Sequence, residues 1–92
     1  MPLYEIKYLW SQDVISGSTA REVVRKMKDR SPFTRNQSVK QYMKGYSLRH
    51  RIFPGGPVRV STMSTNRFLR SLAYTPLVEY VILDGLKLEK GM

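Results

Sequence analysis

From Leu3 to Trp10 the chain reads Leu-Tyr-Glu-Ile-Lys-Tyr-Leu-Trp, with Tyr4, Ile6, Tyr8 and Trp10 on alternate positions. A period of two, rich in aromatics, predicts a strand with those four side chains on one face. Ser11-Gln12-Asp13 reads as a turn, and Val14-Ile15-Ser16 as a short returning strand ending at Gly17. The period then lengthens. Ala20, Val23, Val24 and Met27 recur at helical spacing and predict a helix with one buried stripe. Thr19 and Glu22 have the spacing of a capping box at its start. Glu22–Lys26 and Arg25–Asp29 are opposite charges four residues apart on its exposed side. Ser31-Pro32 stops the helix, because the residue before a proline is pushed out of the helical region.

After a loop over 31–37, Ser38 and Gln41 repeat the capping spacing and open a second helix. Val39, Tyr42, Met43, Tyr46, His50 and Phe53 fall within about 100° of arc at ~3.6 residues per turn, which makes them its core face. Lys40, Lys44, Ser47 and Arg51 form a neighbouring stripe, while Leu48 and Ile52 lie roughly opposite the apolar face. Pro54-Gly55-Gly56-Pro57 reads as a rigid turn into a short strand, Val58–Ser61. Ser64 or Thr65 caps a third helix, with Phe68, Leu69, Leu72 and Ala73 inward and Arg67, Arg70 and Tyr74 outward; Pro76 ends it. Leu77 to Leu83 is β-branched and aromatic and predicts a strand. Asp84-Gly85 is a type I′ hairpin signal, after which Leu86-Lys87-Leu88 turns back. The expectation is an α+β domain: a small sheet of three to four strands with three helices packed on it, in the order β(β)-α-α-β-α-β. Residues 1–88 form the single compact domain, and 89–92 a flexible C-terminal tail.

A chain of 92 residues with 41% apolar and 25% charged residues fits one folded domain with a modest core. It has no cysteine, which excludes disulfides, thiolate metal sites and cysteine nucleophiles. The mixed N-terminal stretch with Glu5 and Lys7 is not a secretory signal, and no apolar run approaches the ~18 residues of a membrane span. These features are read as cytoplasmic, with no membrane partner.

Charge changes the picture most. Sixteen Lys and Arg against seven Asp and Glu give +9, and the excess is unevenly placed. Residues 18–53 hold ten basic and two acidic residues, and residues 54–75 hold Arg59, Arg67 and Arg70 with no acid. The middle 58 residues therefore carry +11, and each end is slightly acidic. Such an excess opposes compaction by self-repulsion, which a partner of opposite charge relieves. The basic side chains form stripes: Arg21, Arg25 and Lys28 on the first helix, Lys40, Lys44 and Arg51 on the second, Arg67 and Arg70 beside Tyr74 on the third. One stripe alone is an ordinary solvated face. Three of them within a +11 segment favour an acidic partner. Arg49, Arg51 and Arg59 complete the expected binding surface.

Candidate chemistry is sparse. His50 is the sole histidine and lies between Arg49 and Arg51, as a general acid–base or a phosphate contact would. It also falls with Tyr46 and Phe53 on the apolar face, and it is read as a core residue. The acids are scattered without ligand spacing, so no metal and no cofactor are expected. The Pro-Gly-Gly-Pro segment lacks the following Gly-Lys-Ser/Thr of a phosphate loop.

Three functions fit this pattern. The first is a basic nucleic-acid-binding module that contacts mainly the backbone of RNA or DNA. The second is a non-enzymatic adaptor or inhibitor, an accessory subunit or a phage- or plasmid-borne regulator, docking an acidic protein surface with Leu48, Ile52 and Tyr74 as anchors. The third is a toxin-type ribonuclease. A homodimer is compatible with each.

Overall fold

The computed structural model describes residues 3–52 and 59–89. Within them the element order is β1 (Tyr4–Tyr8), β2 (Val14–Gly17), α1 (Ala20–Asp29), α2 (Val39–Ile52), α3 (Thr65–Leu72), β3 (Val78–Leu83) and β4 (Leu86–Glu89). The strands form one antiparallel sheet in the order β2-β1-β3-β4. The α+β class and the helix count match the sequence expectation.

The pairing explains why the alternation matters. Ile15, Ile6, Val81 and Leu88 lie opposite one another across all four strands, and this apolar row meets the helices. One residue along, Ser16, Glu5, Ile82 and Lys87 form a row on the other face. A one-residue slip would exchange the two rows, so the register is strongly specified. Val23, Val24, Phe68, Leu69 and Leu72, from α1 and α3, are fully buried over the apolar row. α2 joins the same core through Val39, Tyr42 and Met43.

The β3–β4 hairpin turns as its sequence signals. Asp84 has φ 49° and Gly85 φ 82°, the two left-handed positions that a type I′ turn requires. At α2, Ser38 and Gln41 form a reciprocal capping box: the Gln41 amide donates to Ser38 Oγ at 3.1 Å, and the Ser38 amide to Gln41 Oε1 at 2.9 Å. At α1 the box is shifted. The Glu22 amide donates to Thr19 Oγ1 at 3.1 Å, but the Glu22 carboxylate takes the Ser18 hydroxyl at 3.0 Å and the Ser18 amide at 3.4 Å. The Ser18 bonds, the largest cause, and then Lys26 hold the Glu22 carboxyl below its ordinary range.

Four expectations are corrected. Arg59, Val60 and Ser61 are not a strand, and Val58 lies outside the described residues. Side chains take the place of a ladder there: Ser47 Oγ donates to the Val60 carbonyl at 2.9 Å, and the Ser61 amide donates to Ser71 Oγ at 3.1 Å. Val60 is buried all the same, so its apolar signal was a packing signal. Trp10 does not continue the strand face, because the β1–β3 register shifts at Lys7/Tyr8 and β1 ends at Tyr8. The Arg25–Asp29 pair does not form, because Asp29 instead accepts from Lys28 at 2.7 Å. Lys28 is only 7% exposed and also donates to the Arg35 carbonyl at 2.6 Å, so it ties α1 to the following loop and leaves the binding surface. β4 carries the hairpin back as far as Glu89. Phe53, the Pro54–Pro57 turn and the last three positions lie outside the described residues.

Candidate nucleic-acid interface

The two sides of the sheet differ in how their charge is used. The outer face carries Lys7 and Lys87 against Glu5, Glu79 and Glu89, and these groups satisfy one another. Lys7 pairs with Glu79 at 3.1 Å and Lys87 with Glu89 at 3.0 Å, while the Tyr80 hydroxyl donates to Glu5. The Lys87 ammonium also sits 4.5 Å from the Tyr80 ring centroid. Burial, followed by the Glu5 carboxylate, pushes the Tyr80 hydroxyl up to about 12. This face is close to neutral and internally bonded.

The helical side is different. Among the described residues, Lys26 and Lys28 are the helical-segment cations with a carboxylate partner. The other eleven are exposed and have none. They are Arg21 and Arg25 on α1; Arg30 and Arg35 after it; Lys40, Lys44, Arg49 and Arg51 on α2; Arg59 beyond it; and Arg67 and Arg70 on α3. Ten of the eleven residues expected from the sequence are thus exposed where expected, counting Tyr74 at 51% exposure; Lys28 is the exception. Arg30 and Arg35 belong to the surface and were missed, because they lie outside helical periodicity.

α2 supplies four of these cations, Lys40, Lys44, Arg49 and Arg51. Its buried face holds Val39, Tyr42, Met43 and His50, which sets Lys40, Lys44, Leu48 and Arg51 on the exposed ridge. Lys40 and Arg51 are eleven residues apart, or about 16 Å along the axis. That length corresponds to about five phosphate spacings on one strand of a duplex. Beside the ridge, the Arg49 guanidinium lies 5.8 Å from the Tyr46 ring centroid.

Two shallow clefts open beside arginines. One, of about 170 Å³, is lined by Thr19, Arg21, Glu22 and Arg25. The other, of about 360 Å³, lies between α3 and the hairpin and is lined by Tyr4, Ser64, Asn66, Arg67, Arg70, Leu83 and Asp84. In each a carboxylate shares the cleft with two guanidinium groups.

His50 is buried, and its Nε2 has no hydrogen-bond partner among the described residues. Its flanking arginines are exposed, so the three do not converge. No group of three or more metal-ligating side chains occurs among the described residues. None of the described helices is long and apolar enough to cross a membrane.

The sequence also missed the exposed aromatics. Phe33 is 90% exposed in the loop between Arg30 and Arg35, and Trp10 is 66% exposed. Trp10 packs on Tyr8 with 4.5 Å between ring centroids and 30° between planes. Alternation put Trp10 on one strand face with Tyr4, Ile6 and Tyr8, but β1 ends at Tyr8. No protein-family model, curated protein or solved structure matches this chain.

Proposed function

We propose that the domain is a small nucleic-acid-binding module that holds the phosphate backbone of RNA or DNA on its helical side. One observation carries the reading: eleven exposed cations without carboxylate partners on the helical layer, against an outer sheet face whose charges pair among themselves. Charge kept only for solubility has no reason to spare one face. Phosphates bound by such side chains release condensed counterions, which makes affinity grow with each contact and fall with salt. The aromatic and arginine side chains interleaved on this surface also suit unpaired bases.

Binding of nucleic-acid-free protein to short labelled RNA and DNA at low and moderate salt tests the reading. Binding that falls steeply with salt across many sequences is expected. Failure to bind at low salt would overturn it.

Exposure of Leu48 and Tyr74 favours a second reading, an adaptor docking an acidic protein surface. It predicts one protein partner whose capture survives nuclease treatment and is lost in a Leu48→Ala, Tyr74→Ala variant.

A further inference from the structure

Trp10 is the chain's sole tryptophan, and 66% of it is open to water. Its position is nonetheless fixed. On one side of it the Leu9 amide donates to the Leu77 carbonyl at 3.0 Å; on the other, the Ser11 amide donates to the Tyr8 carbonyl at 3.4 Å. One face of the indole rests on Tyr8. Tyr8 is held in turn by a 3.2 Å bond between its hydroxyl and that of Tyr46, and the Tyr46 ring meets Phe68 edge-on at 5.4 Å. The indole is thus the outermost ring of a series that begins in the core, and its exposure belongs to the face and edges turned away from Tyr8.

One cation reaches the series. Arg49 lies over Tyr46. An open aromatic ring held on the core, in a domain whose helical side carries eleven exposed cations without carboxylate partners among the described residues, has the chemistry of a site for an unpaired base and its phosphates. A duplex keeps its bases stacked inside and offers the indole nothing equivalent.

We propose that Trp10 is a stacking platform for a base of single-stranded nucleic acid, with the exposed cations of the helical side holding the phosphates of the same strand. This rests on the nucleic-acid reading above and narrows its substrate class.

Because Trp10 is the sole tryptophan, its emission reports on the platform directly. The wild-type protein, Trp10→Ala and Trp10→Phe are titrated with a short single-stranded oligouridine and with a hairpin duplex of equal charge. The single strand is expected to quench wild-type emission and the duplex is not. Trp10→Ala is expected to weaken single-strand binding by about tenfold or more, while Trp10→Phe retains most of it and duplex binding is unchanged in both. Single-strand binding without quenching, or an equal loss for both nucleic acids in a folded Trp10→Ala protein, overturns the platform and leaves the phosphate reading standing. Quenching of the wild type decides the matter if Trp10→Ala does not fold. Failure of both nucleic acids to bind overturns the platform together with the phosphate reading.

Discussion

Lys28→Met separates a structural lysine from a binding one. The Lys28 side chain is 9% exposed, and its ammonium donates to the Arg35 carbonyl at 2.6 Å and to Asp29 Oδ1 at 2.7 Å. The Thr34 hydroxyl closes the same loop by donating to the Lys28 carbonyl at 2.7 Å. Methionine keeps the apolar stem and removes the ammonium. Asp29 is half exposed, so water replaces its partner, and that contact contributes only ~0–1 kcal/mol. The bond to Arg35 is charge-assisted, a class worth about 1.5–3 kcal/mol, part of which is returned because an ammonium no longer has to be buried. A net loss of about 1–2 kcal/mol follows. In a chain of 92 residues each kcal/mol moves Tm by about 4–8 °C, so a fall of about 5–15 °C is expected in a thermal melt followed by circular dichroism. The salt dependence of nucleic-acid binding is expected to stay unchanged, since Lys28 makes no phosphate contact. A Tm within about 2 °C of wild type refutes the structural role. A reduced salt slope would return Lys28 to the binding surface.

Two further outcomes follow from the core and α2. Gly45 has no positive φ, and an added Cβ would meet Arg49 Nη1 at 3.3 Å, the end of a side chain that can move. Gly45→Ala is therefore expected to stabilise the domain by about 0.5–1 kcal/mol in denaturant unfolding, and destabilisation would show that α2 packs more tightly there. Burial is the largest cause raising the Tyr8, Tyr42 and Tyr46 hydroxyls above their ordinary value. The folded state then holds their protons more tightly than the unfolded state. Their contribution is complete below about pH 10 and is lost as pH rises beyond it, so the denaturant midpoint is expected to fall steeply above about pH 10. Tyrosinate absorbance rising for all six tyrosines before any unfolding would contradict that.

Much of the fold was legible because the local signals agree with the packing. The 3.6-residue stripes of α1 and α2, the Ser38–Gln41 box and the Asp84-Gly85 turn each state one structure, and each forms. Val60 was misread because an apolar residue in a short β-branched run packs equally well without a ladder. Trp10 was misread because strand ends are set by the partner strand's register, which lies some 70 residues away in sequence at β3. Lys28 shows the limit for charge. Helical spacing put it with Arg21 and Arg25, but its burial depends on a carbonyl seven residues on, in a loop without periodicity. The excess of positive charge on the helical segment was legible from counting alone. That the outer sheet face neutralises itself was not, since Lys7 and Glu79 meet only through the β1–β3 pairing.

The salt dependence of binding, compared between wild type and a variant with Lys40, Lys44 and Arg51 all changed to Ala, tests the central claim most directly. These side chains are exposed on one ridge and have no carboxylate partner among the described residues, so the fold is expected to survive their loss. Each lost phosphate contact lowers the slope of log K against log salt by about 0.9 on duplex DNA and about 0.7 on a single strand. Three contacts on the α2 ridge predict a slope shallower by about 2–3, with affinities that converge as salt rises. Parallel lines for the two proteins, or a wild type that does not bind at low salt, would contradict a phosphate-holding role for the helical side.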